Sequence, residues 1–122
     1  AAEGNPGNIY RPEDTHNFTL LLAEFRRQLD AVHPGLLLTI AAPAAESKYS
    51  LIELDQIHSS LDWINLMTYD FHGTWEMSTN FQANLRTSAK DPSAPPYSVE
   101  ATVNGYLGAD VPADKLVVGV PF

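Results

Sequence analysis

From Phe18 to Val32 the apolar residues Phe18, Leu21, Leu22, Phe25, Leu29 and Val32 recur at three- and four-residue spacing, and Glu24, Arg26, Arg27, Gln28 and Asp30 take the other side. That period predicts an amphipathic helix. Arg11-Pro12-Glu13-Asp14 supplies its start, because proline suits the first helical position and carboxylates suit the positive end of the helix dipole. Pro34-Gly35 ends it. Leu36 to Ala41 is a short apolar run containing Thr39 and Ile40, the pattern of a parallel strand buried on both faces. Ser50 and Glu53 have capping-box spacing ahead of Leu51, Ile52, Leu54, Ile57 and Leu61, which predicts a second helix of about three turns. Asp62 to Asp70, with Trp63, Ile64, Leu66, Met67, Thr68 and Tyr69, reads as a second buried strand.

From His72 to Tyr97 the periodicity lapses into Gly73, Pro92, Pro95, Pro96 and small polar residues, so a long excursion is expected, and long loops are often functional. Ser98 can cap a third helix carrying Val99, Val103, Tyr106 and Leu107, which Gly108 and Pro112 end before a third strand, Lys115 to Val120. Alternating helices and buried strands predict an α/β fold, a parallel sheet with helices outside. Three such strands leave two edges and one face uncovered, and a complete (β/α)8 TIM barrel takes about 250 residues. Residues 1–122 are therefore expected to be part of a barrel domain, about half of it, needing the other half of the same barrel to close.

Composition narrows the function. The chain has 122 residues, 44% of them hydrophobic, and a formal charge of -8 from 7 Lys plus Arg against 15 Asp plus Glu. With Arg26-Arg27 as its longest basic run, it has nothing to neutralise a line of phosphates, so nucleic acid and anionic membrane surfaces are excluded as partners. No apolar run approaches the roughly 20 residues of a membrane-spanning helix. Cysteine is absent, which excludes thiol nucleophiles and thiolate metal sites but leaves the compartment open. His16, His33, His58 and His72 lack the paired spacing of a helical metal site, so no metal and no cofactor are expected. The terminus Ala1-Ala2-Glu3-Gly4-Asn5-Pro6-Gly7-Asn8 has neither an initiator Met nor a basic-then-apolar stretch, and reads as a cut end rather than a secretory signal.

The second strand carries the chemistry. If Leu66 and Thr68 face the helices, the period of two sends Asn65, Met67 and Tyr69 to the opposite face, a barrel's interior, and Asp70 to the strand's C-terminal mouth. Barrel enzymes build their sites there. A phenol, a carboxylate and the nearby Trp75 are what a carbohydrate site uses: hydrogen bonds for hydroxyl and amide groups, and an aromatic face for the sugar ring. Each residue also has a plain structural reading. Met67 can fill the core, Tyr69 can bond a backbone carbonyl, Asp70 can shape a turn, and Trp75 can pack beneath its own loop. Their joint occurrence at one strand mouth favours a site.

The run Asp62-Trp63-Ile64-Asn65-Leu66-Met67-Thr68-Tyr69-Asp70-Phe71-His72-Gly73 resembles the sixth-strand signature of chitinases of glycoside hydrolase family eighteen, which are (β/α)8 barrels. Arg11-Pro12-Glu13-Asp14 with Asn17-Phe18-Thr19-Leu20-Leu21-Leu22 resembles the helix after strand four, and Leu38-Thr39-Ile40-Ala41 resembles strand five. Val111-Pro112-Ala113-Asp114-Lys115-Leu116-Val117-Val118-Gly119-Val120-Pro121-Phe122 resembles the approach to strand seven and the strand itself. Bacterial chitinases are the nearest group.

The resemblance implies retaining hydrolysis of β-1,4-linked N-acetylglucosamine polymers, in which the substrate's own acetamido oxygen attacks. It implies that Tyr69 holds the acetamido group, Asp70 binds the distorted sugar, Met67 lines the pocket floor and Trp75 stacks on the sugar beyond the cleaved bond. The implied partners are chitin and its oligosaccharides, and the implied location is outside the cell. The family's general acid ends a motif of spaced aspartates, and no Asp-x-x-Asp-x-Asp-x-Glu pattern occurs in this chain. That glutamate is expected upstream of Ala1, and the chain alone is expected to be inactive. Phe81-Gln82-Ala83-Asn84-Leu85 stands where many members have His-Asn-x-Pro-Leu, which leaves that loop's role in binding open. A chitinase-like lectin and an endo-β-N-acetylglucosaminidase are the alternatives.

Overall fold

The computed structural model describes residues 4–122. Ala1-Ala2-Glu3, part of the terminus read as a cut end, lie outside the described residues. The elements are α1 (Asp14–Val32), β1 (Thr39–Pro43), α2 (Glu46–Tyr49), α3 (Leu54–Ile57), β2 (Trp63–Met67), α4 (Val99–Gly108) and β3 (Leu116–Val118), the last preceded by a 3-10 turn, Ala113–Lys115. The strands form one parallel sheet in the order β1-β2-β3.

The strands begin later, or end earlier, than their hydrophobic runs. Leu36 to Leu38 were expected in β1, but the Asp62 carboxylate takes the Leu38 N–H at 2.6 Å, and the ladder starts only at Thr39 opposite Trp63. β2 stops at Met67, three residues short of Asp70: the Thr68 N–H turns back to the Leu66 carbonyl at 2.9 Å, and its hydroxyl donates to the Gly119 carbonyl at 2.7 Å. Lys115 belongs to the turn before β3, where its Nζ donates to the carbonyls of His58 and Leu61.

Within the span predicted for the second helix only one turn forms, α3, and another single turn, α2, lies just before it. Ser50 follows the end of α2 instead of capping a helix, and the Glu53 side chain reaches across to Thr19 and His16 of α1. A long-range contact has replaced the local cap. Leu54, Ile57 and Leu61 still bury their side chains, each worth about 1.5–3 kcal/mol. The cap of α4 is as expected, with Ser98 Oγ accepting the Ala101 N–H at 3.0 Å. The α1 start differs slightly: the helix opens at Asp14, whose carboxylate accepts the Arg11 N–H at 2.8 Å, so Pro12 precedes the first helical residue.

The core lies between one face of the sheet and the helices, built from Leu22, Ala42, Leu54, Ile57, Leu61, Ile64, Leu66, Tyr106 and Val111. Ile40, Ile64 and Leu116 share a row of the register on that side, as do Ala42, Leu66 and Val118. As expected of three such strands, one face is covered and the other is open. Ala41, Met67 and Val117, which alternate with the core residues, are exposed on the other face, where no described element lies over them. Leu21 and Phe25 of α1 are likewise exposed, because the stripe reaches the core through Leu22, with Phe18 packed beside it.

Candidate active site

The strand period places the Leu66 and Thr68 side chains in the protein and Met67 and Tyr69 on the open face, as the sequence predicts. Beyond β2 the chain turns at Asp70, whose φ of 55° is a left-handed conformation that aspartate tolerates better than most residues. That turn brings the carboxylate to the strand mouth. One cleft of about 410 Å³ is lined there by Met67, Tyr69, Asp70 and Trp75, together with Pro43 to Ala45 beyond β1 and Phe71, Glu76 and Tyr97. All four sequence-predicted site residues are brought together.

Several plain readings lose force. Among the described residues the Tyr69 hydroxyl bonds no backbone carbonyl and no side chain. Trp75 does not pack beneath its loop: it is 66% exposed, with its six-membered ring laid against Gly73, where any Cβ would collide with it. Gly119 does the same for Tyr69, since a Cβ on Gly119 would stand 2.9 Å from the tyrosine Cε1. The two glycines give both aromatic rings their space.

The excursion from His72 to Tyr97 contains no helix or strand and is held by polar contacts. His72 is 4% exposed, donates from Nδ1 to Glu76 Oε2 at 2.8 Å, and leaves its Nε2 buried without a partner. Its ring meets that of Tyr97 edge-on at 5.9 Å, and Phe71 stacks on Tyr97 at 6.1 Å. Farther out, the Asp91 carboxyl is held below its ordinary pKa by the Ser93 hydroxyl and backbone N–H, with Asn80 and His72 adding to the effect. These contacts fold the loop so that Glu76 and Tyr97 join the cleft. Neither was singled out from sequence. The only signal was the four-residue spacing of His72 and Glu76, which without a helix carries little.

The segment Phe81 to Leu85 has two functions here. Asn84 Nδ2 donates to the Tyr97 carbonyl at 2.8 Å, and the carbonyls of Asn84 and Leu85 accept the N–H groups of Val99 and Glu100 at the start of α4. Gln82 turns the other way: its Nε2 donates to Asp70 Oδ1 at 2.6 Å, and its carbonyl accepts the Phe71 N–H at 2.9 Å. Among the described residues no group of three or more His, Cys, Asp or Glu side chains could hold a metal ion. No described helix is long and apolar enough to cross a membrane. The arrangement offers carboxylate acceptors, tyrosine side chains and aromatic faces, a set suited to binding hydroxyl and amide groups on flat, partly apolar rings.

The profile of Glycosyl hydrolases family 18 matches residues 3–122, nearly the whole chain. The chain belongs to that family. It is 44% identical over 128 aligned residues to Chitinase A1 of Niallia circulans, covering 98% of this chain and 18% of that protein. The fold superposes on Chitinase ChiA74 from Bacillus thuringiensis with a TM-score of 0.94 at 46% identity, covering 99% of this chain and 20% of that one. It also matches the Group II chitinase catalytic domain 2 of Ostrinia furnacalis in complex with (NAG)5, with a TM-score of 0.85 at 34% identity, covering 92% of this chain and 29% of that one. The family 18 chain therefore spans about a fifth of the first two relatives (18% and 20%), and its three parallel strands with their helices are a part of the barrel.

Proposed function

We propose that residues 1–122 form part of the catalytic barrel of a chitinase, which hydrolyses β-1,4-linked N-acetylglucosamine polymers outside the cell. The observation that carries this reading is the Tyr69–Asp70 pair in the cleft, with a tyrosine hydroxyl that no described residue engages and an exposed Trp75 beside it. In substrate-assisted hydrolysis the acetamido oxygen attacks the anomeric carbon as the glycosidic bond breaks, giving an oxazolinium-like intermediate that water then opens by a second displacement at the same carbon, so the configuration is retained. The enzyme's tasks are to protonate the leaving oxygen and to hold the acetamido group in line. The Tyr69 hydroxyl hydrogen-bonds that group and holds its oxygen in line with the anomeric carbon. Asp70 accepts from the sugar distorted at the cleavage subsite, Met67 floors the pocket, and Trp75 stacks on the next sugar towards the leaving group. The proton donor is a glutamate outside these residues, at the end of the motif that precedes α1.

The experiment is to incubate the full-length protein carrying this chain with N-acetylglucosamine oligomers and follow product release and product anomer by NMR. Hydrolysis with retention is expected, and Tyr69→Phe should lower kcat by about 10²–10³. Binding without hydrolysis would make the protein a lectin, in which Tyr69 and Asp70 only hold ligand. Inversion at the anomeric carbon would sink the acetamido mechanism.

A further inference from the structure

We infer that Gln82 is a positioning residue that fixes the Asp70 carboxylate in the cleft. The inference rests on the proposed hydrolase reading and adds a residue to it. Asp70 lies beyond the last ladder position of β2, Met67, and is exposed. Neither the sheet nor the core therefore restrains its side chain. Two contacts from one residue of the excursion do. The Gln82 carbonyl accepts the N–H of Phe71 at 2.9 Å and holds the chain just past the left-handed turn, while Nε2 donates to Oδ1 at 2.6 Å and fixes the carboxylate.

The chemistry of the pair is directional. A carboxylate accepts only, so the amide must present its NH₂ group to it, and the orientation of Gln82 follows from its partner. The donor is neutral and leaves the negative charge of Asp70 in place. Oδ2 has no partner among the described residues and is left for a ligand. A lysine or arginine at position 82 would hold the carboxylate as firmly but would also pair off its charge.

The two contacts can be separated by mutation. Gln82 is itself exposed, so truncating its side chain opens no cavity, and the carbonyl contact to Phe71 survives any substitution. A side-chain variant therefore removes the bond to Asp70 and little else.

The test uses the full-length protein, with kcat and KM on N-acetylglucosamine oligomers and Tm measured for wild type, Gln82→Ala and Gln82→Glu. Gln82→Ala should lower kcat on the order of tenfold, with KM within about threefold and Tm within about 2 °C, since misplacing one group by a fraction of an ångström costs rate rather than fold. Gln82→Glu should lose more than Gln82→Ala at neutral pH, because a second carboxylate then faces Asp70. An active wild type whose Gln82→Ala variant stays within about twofold in kcat would overturn the inference and leave the hydrolase reading standing. A change confined to KM would overturn it too, by making Gln82 a substrate contact. A Tm loss that accounts for the rate loss would make Gln82 a plain structural residue. An inactive wild type would instead overturn the hydrolase reading and this inference with it.

Discussion

Gly119 lies against the ring of Tyr69 so closely that a Cβ at position 119 would stand 2.9 Å from Cε1 and 2.5 Å from the Leu66 carbonyl oxygen. The same glycine continues the sheet past β3, donating its N–H to that Leu66 carbonyl at 2.9 Å and accepting the Thr68 hydroxyl at 2.7 Å. Its missing side chain thus serves β2, β3 and the tyrosine at once. Gly119→Ala in the full-length protein should cost about 1–3 kcal/mol of stability by overpacking. It should also lower kcat, because the ring has to move, whereas Tyr69→Phe should lower kcat without touching Tm. Melting curves and kinetics on the two variants separate these effects, and an unchanged kcat in Gly119→Ala would show that the ring is not held from this side.

Trp75 makes the complementary case. At 66% exposure it contributes little to the fold, so Trp75→Ala should leave Tm within about 1 °C. Removing an aromatic platform should weaken binding of N-acetylglucosamine oligomers roughly fivefold, about 1 kcal/mol. Isothermal titration against oligomers of increasing length checks it, and a loss that grows once the ligand is long enough to reach the tryptophan would locate the stacked sugar. An unchanged affinity at every length would remove Trp75 from the site.

Those two residues mark how far the sequence could be read. Trp75 was legible as a tryptophan close in sequence to the mouth of β2 and through the family resemblance. Met67, Tyr69 and Asp70 were legible because one strand period and its mouth placed them, with β2 keeping that period from Trp63 to Met67. The alternation of helices and parallel strands was legible for the same reason. What failed was where a distant side chain intervened. Asp62 took the Leu38 N–H and delayed β1, and Glu53 left its capping spacing for Thr19. Gln82, Glu76 and Tyr97 were not legible, since they reach the cleft through a loop of 26 residues, His72 to Tyr97, with no period to project. Local pattern encodes elements, and partners far apart in sequence decide their ends.

Glu53 also gives the fold a pH signature. Its carboxyl is held below the ordinary value chiefly by the Thr19 hydroxyl, which donates at 2.5 Å; desolvation opposes this, and His16 adds to the lowering. A carboxyl whose pKa is lower in the folded state contributes stability above its unfolded value and loses it as pH falls through the folded value. The contact therefore joins α1 to the α2–α3 segment at neutral pH and weakens in acid. Glu53→Gln should melt below wild type near pH 7, and the gap should close as pH falls from about 5. Thermal melts of both full-length proteins across that range decide it. A gap independent of pH would mean that the charge of Glu53 contributes nothing.

The strongest prediction concerns the 122 residues by themselves. Leu20, Leu21 and Phe25 lie about half exposed on α1, at 53%, 51% and 49%, and Met67 and Val117 are exposed on the open face of the sheet. Among the described residues β1 and β3 each keep a free edge. Exposed apolar patches and unpaired strand edges seek partners, and here the complementary surfaces belong to the remainder of the barrel. Expressed alone, the chain should bind the dye ANS, elute larger than a monomer and show no cooperative melt. It should also release no product from N-acetylglucosamine oligomers, because the cleft has only one wall and the acidic glutamate of the spaced-aspartate motif is not among these residues. Size-exclusion chromatography and circular dichroism provide the test. A stable monomer with a sharp melting transition would mean that these three strands form a closed folding unit, and the half-barrel argument would have to be abandoned.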